Sequence, residues 1–164
     1  MSAQPLQFLA AFRTILNEAP ARLVQIREED ASRSLEPGKW SAKQELGHLV
    51  DSAVNNHIRL IRMQVETHPD LPGYAQNDWV RLNSYQERSW EQIVALWRML
   101  NTHLVTAAEQ VTAEGWQRTG VFISTWGTAP NADSSGVITL QFLIEDYVEH
   151  MRHHLDHIAR WLSA

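Results

Sequence analysis

The chain contains no cysteine. That excludes disulfide frameworks, thiolate metal sites and cysteine nucleophiles, and any thiol used in chemistry must come from outside the protein. Glycine and proline are sparse, seven and six among 164 residues, which excludes collagen-like and linker-dominated chains. No apolar run approaches the roughly 18 residues a membrane span needs. The N-terminal stretch Met1 to Pro5 has neither the basic nor the apolar segment of a secretory signal. Basic charge is in deficit as well. A net charge of −5 argues against a nucleic-acid partner, because phosphate binding needs a basic face. What remains is a globular chain, 44% apolar and 20% charged, expected to form one domain over residues 1–164 in the cytoplasm. Against these absences stand two surpluses: eight histidines and seven tryptophans.

Breaker residues divide the chain into four helical stretches. The first spans about Gln7 to Asp30, with Phe8, Leu9, Phe12, Ile15 and Leu16 at helical spacing and Pro20 as a point of kinking. Ser41 and Gln44 form a capping-box pattern at the start of the second, which runs to about Glu66 before His68-Pro69 and Pro72-Gly73 stop it. Tyr74 to Trp79 reads as loop, and Ser84 with Glu87 offers a second capping box. The third helix carries Trp90, Ile93, Leu96, Trp97, Leu100 and Leu104, and Gly115 lies beyond its end. Residues 116–138 form a long connection in which Val121 to Ile123 is β-prone and Trp126 is a candidate pocket wall. Thr139 caps the last helix, Leu140 to Leu162. Four helices with one long connection before the last predict an all-α four-helix bundle.

Histidine is the commonest metal ligand, and the last helix holds His150, His153, His154 and His157. Residues four apart stack on one helix face, so His150 with His154, or His153 with His157, can grip one ion. The apolar arc of this helix centres near Met151, Leu155, Ile158 and Leu162. At about 100° per residue, His154 lies roughly 60° from that centre, His150 roughly 100°, His157 roughly 120° and His153 roughly 160°. The pair bordering the core is His150 and His154, while His153 faces water. A solvated polar helix face would carry the same residues with no ion.

A catalytic-type site needs a third ligand and an open position, and His48, His57, His68 and His103 are the candidates. His48 lies on a polar stripe with Gln44, Asp51, Ser52, Asn55 and Arg59, and His57 lies within the apolar arc. Periodicity makes His57 the buried one and His48 the surface one, whereas a ligand needs polar neighbours, which favours His48. The helical wheel leaves the choice open. Glu45-x-x-His48 is the sole Glu-x-x-His match, short of the pair a di-iron bundle needs. His-Glu-x-x-His, dinucleotide, Walker and nucleophile-elbow motifs do not occur.

Several of these pieces together resemble the DinB/YfiT-like superfamily of metal-binding four-helix bundles. They are Trp40-Ser41, Gly47-His48-Leu49-Val50-Asp51-Ser52, Asn55-Asn56-His57-x-Arg59 and Tyr74-x-Gln76-x-Asp78-Trp79-Val80. Further on come Leu96-Trp97, Asn101-x-His103-Leu104, Thr139-Leu140 and Asp146-Tyr147-Val148-x-His150-x-x-x-His154-Leu155. The resemblance covers nearly all of the chain after Trp40. It implies a three-histidine metal site of His48, His150 and His154, a divalent transition metal such as zinc or nickel, and a homodimer. His157 stands where many relatives have glutamine.

The activities implied are those of metal-dependent hydrolases or of thiol S-transferases that use a low-molecular-weight thiol as cosubstrate. Asp51 and Asn55, one and two turns from His48, are candidates to orient a ligand or substrate. The competing reading is a non-catalytic metal-binding or ligand-binding bundle. It expects a closed site with a fourth protein ligand, for which His157 or Asp51 are the candidates.

Overall fold

The computed structural model describes residues 7–123 and 136–163. Four long helices make its frame: α1 (Gln7–Leu23), α3 (Ala42–Val65), α5 (Trp90–Ala108) and α7 (Leu140–Ile158). Shorter helices are α2 (Glu28–Ala31), α4 (Gln76–Leu82) and α6 (Ala113–Trp116). Short strands β1 (Asp70–Pro72), β2 (Thr119–Ile123) and β3 (Val137–Thr139) and 3-10 turns at Tyr85–Glu87 and Ala159–Ser163 are the remaining described elements. β2 lies in the middle of a three-stranded sheet, parallel to β1 with Leu71 opposite Phe122, and antiparallel to β3 with Gly120 opposite Ile138. The bundle is as expected from the sequence, and the small sheet enlarges the single β-prone segment that the sequence offered.

The helix starts follow side-chain chemistry. The Ser41 hydroxyl accepts from the Gln44 amide at 3.3 Å, and the Gln44 side chain accepts from the Ser41 amide at 3.0 Å. Both arms of the capping box are made, which fixes the register of α3 and with it the direction of His48. Thr139 accepts from the Phe142 amide at 3.1 Å and does the same for α7.

Three expectations need correction. The first helix ends at Leu23, and the chain turns before α2. The stretch from Gln76 is helix α4, not loop. Ser84 sits at φ 53, in the left-handed region, and makes no cap; Ser89 caps α5 instead, accepting from Gln92. Gly115 lies beyond the end of α5, as expected, within the short helix α6. Trp126 and most of the connection before β3 lie outside the described residues.

Helix α3 packs against both α5 and α7, and α1 closes the ring by packing against the same two. Phe12, Leu46, Leu60, Trp97, Leu104, Ile144 and Met151 are fully buried between them. Burial of each large apolar side chain contributes about 1.5–3 kcal/mol, and this apolar body holds the polar groups of α3 and α7 in register. The indole Nε1 of Trp90 donates to the Leu23 carbonyl at 2.8 Å, so this tryptophan is core, as its spacing implies. Among the described residues no helix is long and apolar enough to cross a membrane.

Candidate metal centre

His48 projects from the second turn of α3, and His150 and His154 project from successive turns of α7. The structure brings the three together. Nε2 of His48 lies 3.2 Å from Nε2 of His150. Ring centres are 5.1 Å apart for His48 and His150, 4.9 Å for His48 and His154, and 4.5 Å for His150 and His154. One nitrogen from each ring falls within 4.8 Å of the others. This is the spacing of donors around a single ion, since metal–nitrogen bonds of about 2.0–2.1 Å place two ligands of one ion some 3–4 Å apart.

His48 is 3% exposed. The periodicity reading that made it the surface histidine is reversed, because the polar stripe of α3 is covered by protein rather than water: His48 meets α7, while Asp51, Ser52 and Arg59 meet Asn83 and Tyr85, Tyr74 and Pro72. Burial, with His150 and His154 close by, pushes His48 down to about 3. Burial and the neighbouring His154 and His153 push His150 down to about 4. Both rings are therefore neutral at pH 7, the form that donates a lone pair to a cation. The donor set fits a divalent transition metal: three imidazoles converge, and the Nδ1 atom of His48 is buried without a partner.

Glu45, one turn before His48, is the residue that sequence reasoning passed over. Its Oε2 accepts from Nδ1 of His154 at 2.6 Å and its Oε1 from Nδ1 of His157 at 3.0 Å. With the proton on Nδ1, the lone pair of His154 is on Nε2, turned to the site. A carboxylate behind a ligand histidine orients the ring and raises its basicity. Burial pushes Glu45 up, but the hydrogen bonds and charge of His154 and His157 outweigh it and hold the carboxyl below its ordinary value. The signal was in the sequence: Glu45 lies three residues before His48 and shares its face of α3.

His157 is held on both nitrogens. Arg160 Nη1 donates to its Nε2 at 2.7 Å, while its Nδ1 serves Glu45. Arg160 in turn donates to Glu36 at 2.7 Å. Asp51 is likewise engaged elsewhere. Its Oδ1 accepts from the Tyr85 hydroxyl at 2.6 Å and from Asn83 Nδ2 at 2.8 Å, and its Oδ2 is buried without a partner. Tyr85 reaches this carboxyl because Gly47 lets its ring lie on α3; a Cβ at Gly47 would fall 2.2 Å from that ring. Burial raises Asp51 to about 6 against the lowering effect of its two donors. Asn55 donates to the Asp51 carbonyl at 2.9 Å.

The other histidines are apart. His57 is half-buried and pairs with exposed His103, ring centres 4.6 Å apart, on α3 and α5. His68 meets the Thr119 hydroxyl at 2.9 Å. His153 is exposed, as the helical wheel indicates.

Trp40 and Tyr74 wall the His48 ring at 5.4 and 6.3 Å. Beside them a cleft of about 420 Å³ opens on His154, lined among others by Lys39, Trp40, Asn77, Arg160 and Trp161. The arrangement can hold one divalent cation at the end of a cleft sized for a small molecule.

Known proteins share both chain and shape. The family model described as the DinB superfamily matches residues 11–158. "Putative metal-dependent hydrolase YfiT" of Bacillus subtilis is 27% identical over 149 residues, covering 88% of this chain and 79% of the relative. A relative of the same description in Oceanobacillus iheyensis is 26% identical, over 84% of this chain and 73% of its own length. Among solved structures, YfiT from Bacillus subtilis, described as a probable metal-dependent hydrolase with an unusual four-helix bundle topology, superposes with a TM-score of 0.76 at 22% identity. That superposition covers 98% of this chain and 89% of YfiT. The DinB-like protein YjoA from the same organism gives a TM-score of 0.63 at 16% identity, covering 96% and 91%. The fold is theirs, and by the family match this chain belongs to the DinB superfamily.

Proposed function

We propose that this protein is a metal-dependent enzyme whose centre is one divalent transition metal, zinc or nickel, held by His48, His150 and His154. The observation that carries this reading is the convergence of three imidazoles, buried His48 and half-buried His150 and His154, on one point. A divalent ion bound there supplies Lewis acidity and a nucleophile at neutral pH. The chain's own groups do the rest. Glu45 fixes the tautomer of His154, and the Trp40 and Tyr74 rings shield His48 from water. Asp51 braces α3 against Tyr85 and Asn83, and Asn55 caps the Asp51 carbonyl, so both position the helix that carries His48.

An open coordination position favours catalysis over a purely structural ion. Of the two candidates for a fourth ligand, His157 is committed to Glu45 and Arg160, and Asp51 to Tyr85 and Asn83. The description of the curated relatives as hydrolases supports water as the nucleophile. The alternative reaction is transfer of a low-molecular-weight thiol, and with no cysteine in the chain that thiol is a cosubstrate. Turnover of ester and amide substrates without added thiol supports hydrolysis. Turnover of an electrophile such as an epoxide only when thiol is present supports transfer. Metal-loaded protein inactive in both screens, across zinc and nickel, would sink the enzymatic reading.

A further inference from the structure

Arginine does not shed its charge inside a protein, so a buried guanidinium is ordinarily held by an anion. The buried charged side chains of this molecule otherwise show how such groups are accommodated. Asp30 meets Arg27 and Arg33, Lys43 meets Glu28, and Glu45 meets His154 and His157. Asp51 is raised by burial toward its neutral form. Arg59 of α3 is only 7% exposed and has no acidic partner among the described residues. Its Nη2 donates to the Pro72 carbonyl at 2.7 Å and its Nη1 to Asn56 Oδ1 at 3.3 Å, and its Cζ stands 5.0 Å from the Phe122 ring centre. All three partners are neutral. Nε and the second hydrogen on each terminal nitrogen remain undonated. Among the described residues, only His48 Nδ1, Asp51 Oδ2 and Trp97 Nε1 are sealed from solvent without a partner. Nε of Arg59, which has no partner and is not among the sealed atoms, is therefore reachable.

Arg59 also lies in line with the centre. His48 and Arg59 are separated by eleven positions on α3, which at about 100° per residue returns the side chain to within about 20° of the same direction. The rise between them is about 16 Å, and an arginine leans back toward the helix N-terminus, leaving on the order of 10 Å from guanidinium to imidazole. Polar groups occupy the interval. The Tyr74 hydroxyl is 2.9 Å from the Ser52 hydroxyl, and the Tyr74 ring faces His48. Pro72, which Arg59 holds, is two residues before that tyrosine.

We propose that Arg59 anchors an oxyanion group, a carboxylate or a phosphate, on the small molecule that the three-histidine centre acts on. This rests on the metal-enzyme reading above and narrows its substrate class. The molecule carries its anion roughly eight bonds from the group presented to the histidines. The planar fork of arginine suits either oxyanion through paired hydrogen bonds. The competing account makes Arg59 a strap that merely ties β1 to α3 through the Pro72 carbonyl.

The test titrates zinc-loaded wild type with ω-mercaptoalkanoates of increasing chain length while following the Arg59 Nε–H signal by NMR. Succinate and inorganic phosphate, added separately, distinguish the two oxyanions. The expected result is a shift of the Arg59 signal with at least one of these anions, and an affinity that peaks at one mercaptoalkanoate length. Arg59→Gln, which can still donate to Pro72, then binds that compound about 10- to 100-fold more weakly, no better than the uncharged mercaptoalkanol. Arg59→Lys retains part of the preference, and both variants keep their zinc. An Arg59 signal in the wild type that ignores every anion overturns the proposal whether or not the variants fold, as does equal affinity for mercaptoalkanoate and mercaptoalkanol. Zinc content of the same samples reads the centre separately. A wild type that takes up no zinc contradicts the metal centre, while its response to succinate and phosphate still decides the anchor.

Discussion

Two groups of histidines bridge α3 to a neighbouring helix, and they differ in everything but spacing. His48, His150 and His154 have ring centres 4.5 to 5.1 Å apart. His57 and His103 lie 4.6 Å apart, within the same range. The first group is sunk between α3 and α7, with Glu45 behind one ring and tryptophan and tyrosine beside another. The second sits at the α3–α5 surface, and no carboxylate touches it among the described residues. Proximity of imidazoles is thus cheap, arising wherever two helices carry histidine at one level. A metal centre needs a third donor, rings fixed by partners behind them, and shelter from water.

The largest effect that tests this contrast is ion-dependent stability. Zinc at about 100 times its Kd stabilises the folded state by roughly 2.7 kcal/mol. The melting temperature of the wild type should rise by several degrees on zinc addition. His150→Ala should abolish the rise and His103→Ala should leave it intact. Equal responses in the two variants would erase the distinction between the groups.

The next largest concerns what stands behind the rings. Glu45→Gln keeps an acceptor for one histidine but loses the charge and the second strong bond. It should weaken zinc affinity about 10- to 100-fold, measured by competition with a chelator. Unchanged affinity would mean that the ring orientation comes from packing alone.

Asp51 sharpens the comparison, because it is a buried carboxylate on the same helix that holds no histidine. Its carboxyl titrates near 6 in the fold against an ordinary 3.8. The fold therefore binds this proton more tightly than the unfolded chain does. The contribution is favourable at low pH and is lost as pH rises from about 4 through 6. In metal-free protein, Asp51→Asn should raise stability at pH 7.5 by about 1–3 kcal/mol, with the gain vanishing near pH 4. Denaturant melts at the two pH values check this, and a loss at pH 7.5 would contradict the sign. Smallest of all, His103→Ala should change metal-free stability by less than about 0.5 kcal/mol, as expected for an exposed side chain.

Much of this was legible in the sequence, for reasons specific to each residue. His150 and His154 could be chosen by periodicity because α7 has a narrow apolar arc, and a ligand must sit at its edge. His48 could not, because α3 is buried on its polar side as well as its apolar one. One-dimensional periodicity reads a polar stripe as solvent-facing, and here that stripe is covered by α7 at His48 and by residues 72–85 beyond it. Only the resemblance to a family resolved it. Glu45 escaped because its role is a contact across helices, and its one sequence cue, the three-residue offset from His48, was weighed only against a di-iron pattern. β2 was legible in the β-prone Val121 to Ile123, whereas β1 and β3 escaped because a few backbone pairings to β2, not local propensity, hold strands of three residues.

The central claim is that His48, His150 and His154 hold one divalent metal. Metal content by mass spectrometry tests it most directly, on protein purified without a nickel column. The wild type should carry close to one zinc or nickel per chain, lost in His48→Ala, His150→Ala or His154→Ala and kept in His57→Ala and His153→Ala. A wild type that binds neither ion even after incubation with both, or one that loses its metal with His57→Ala, would contradict the account.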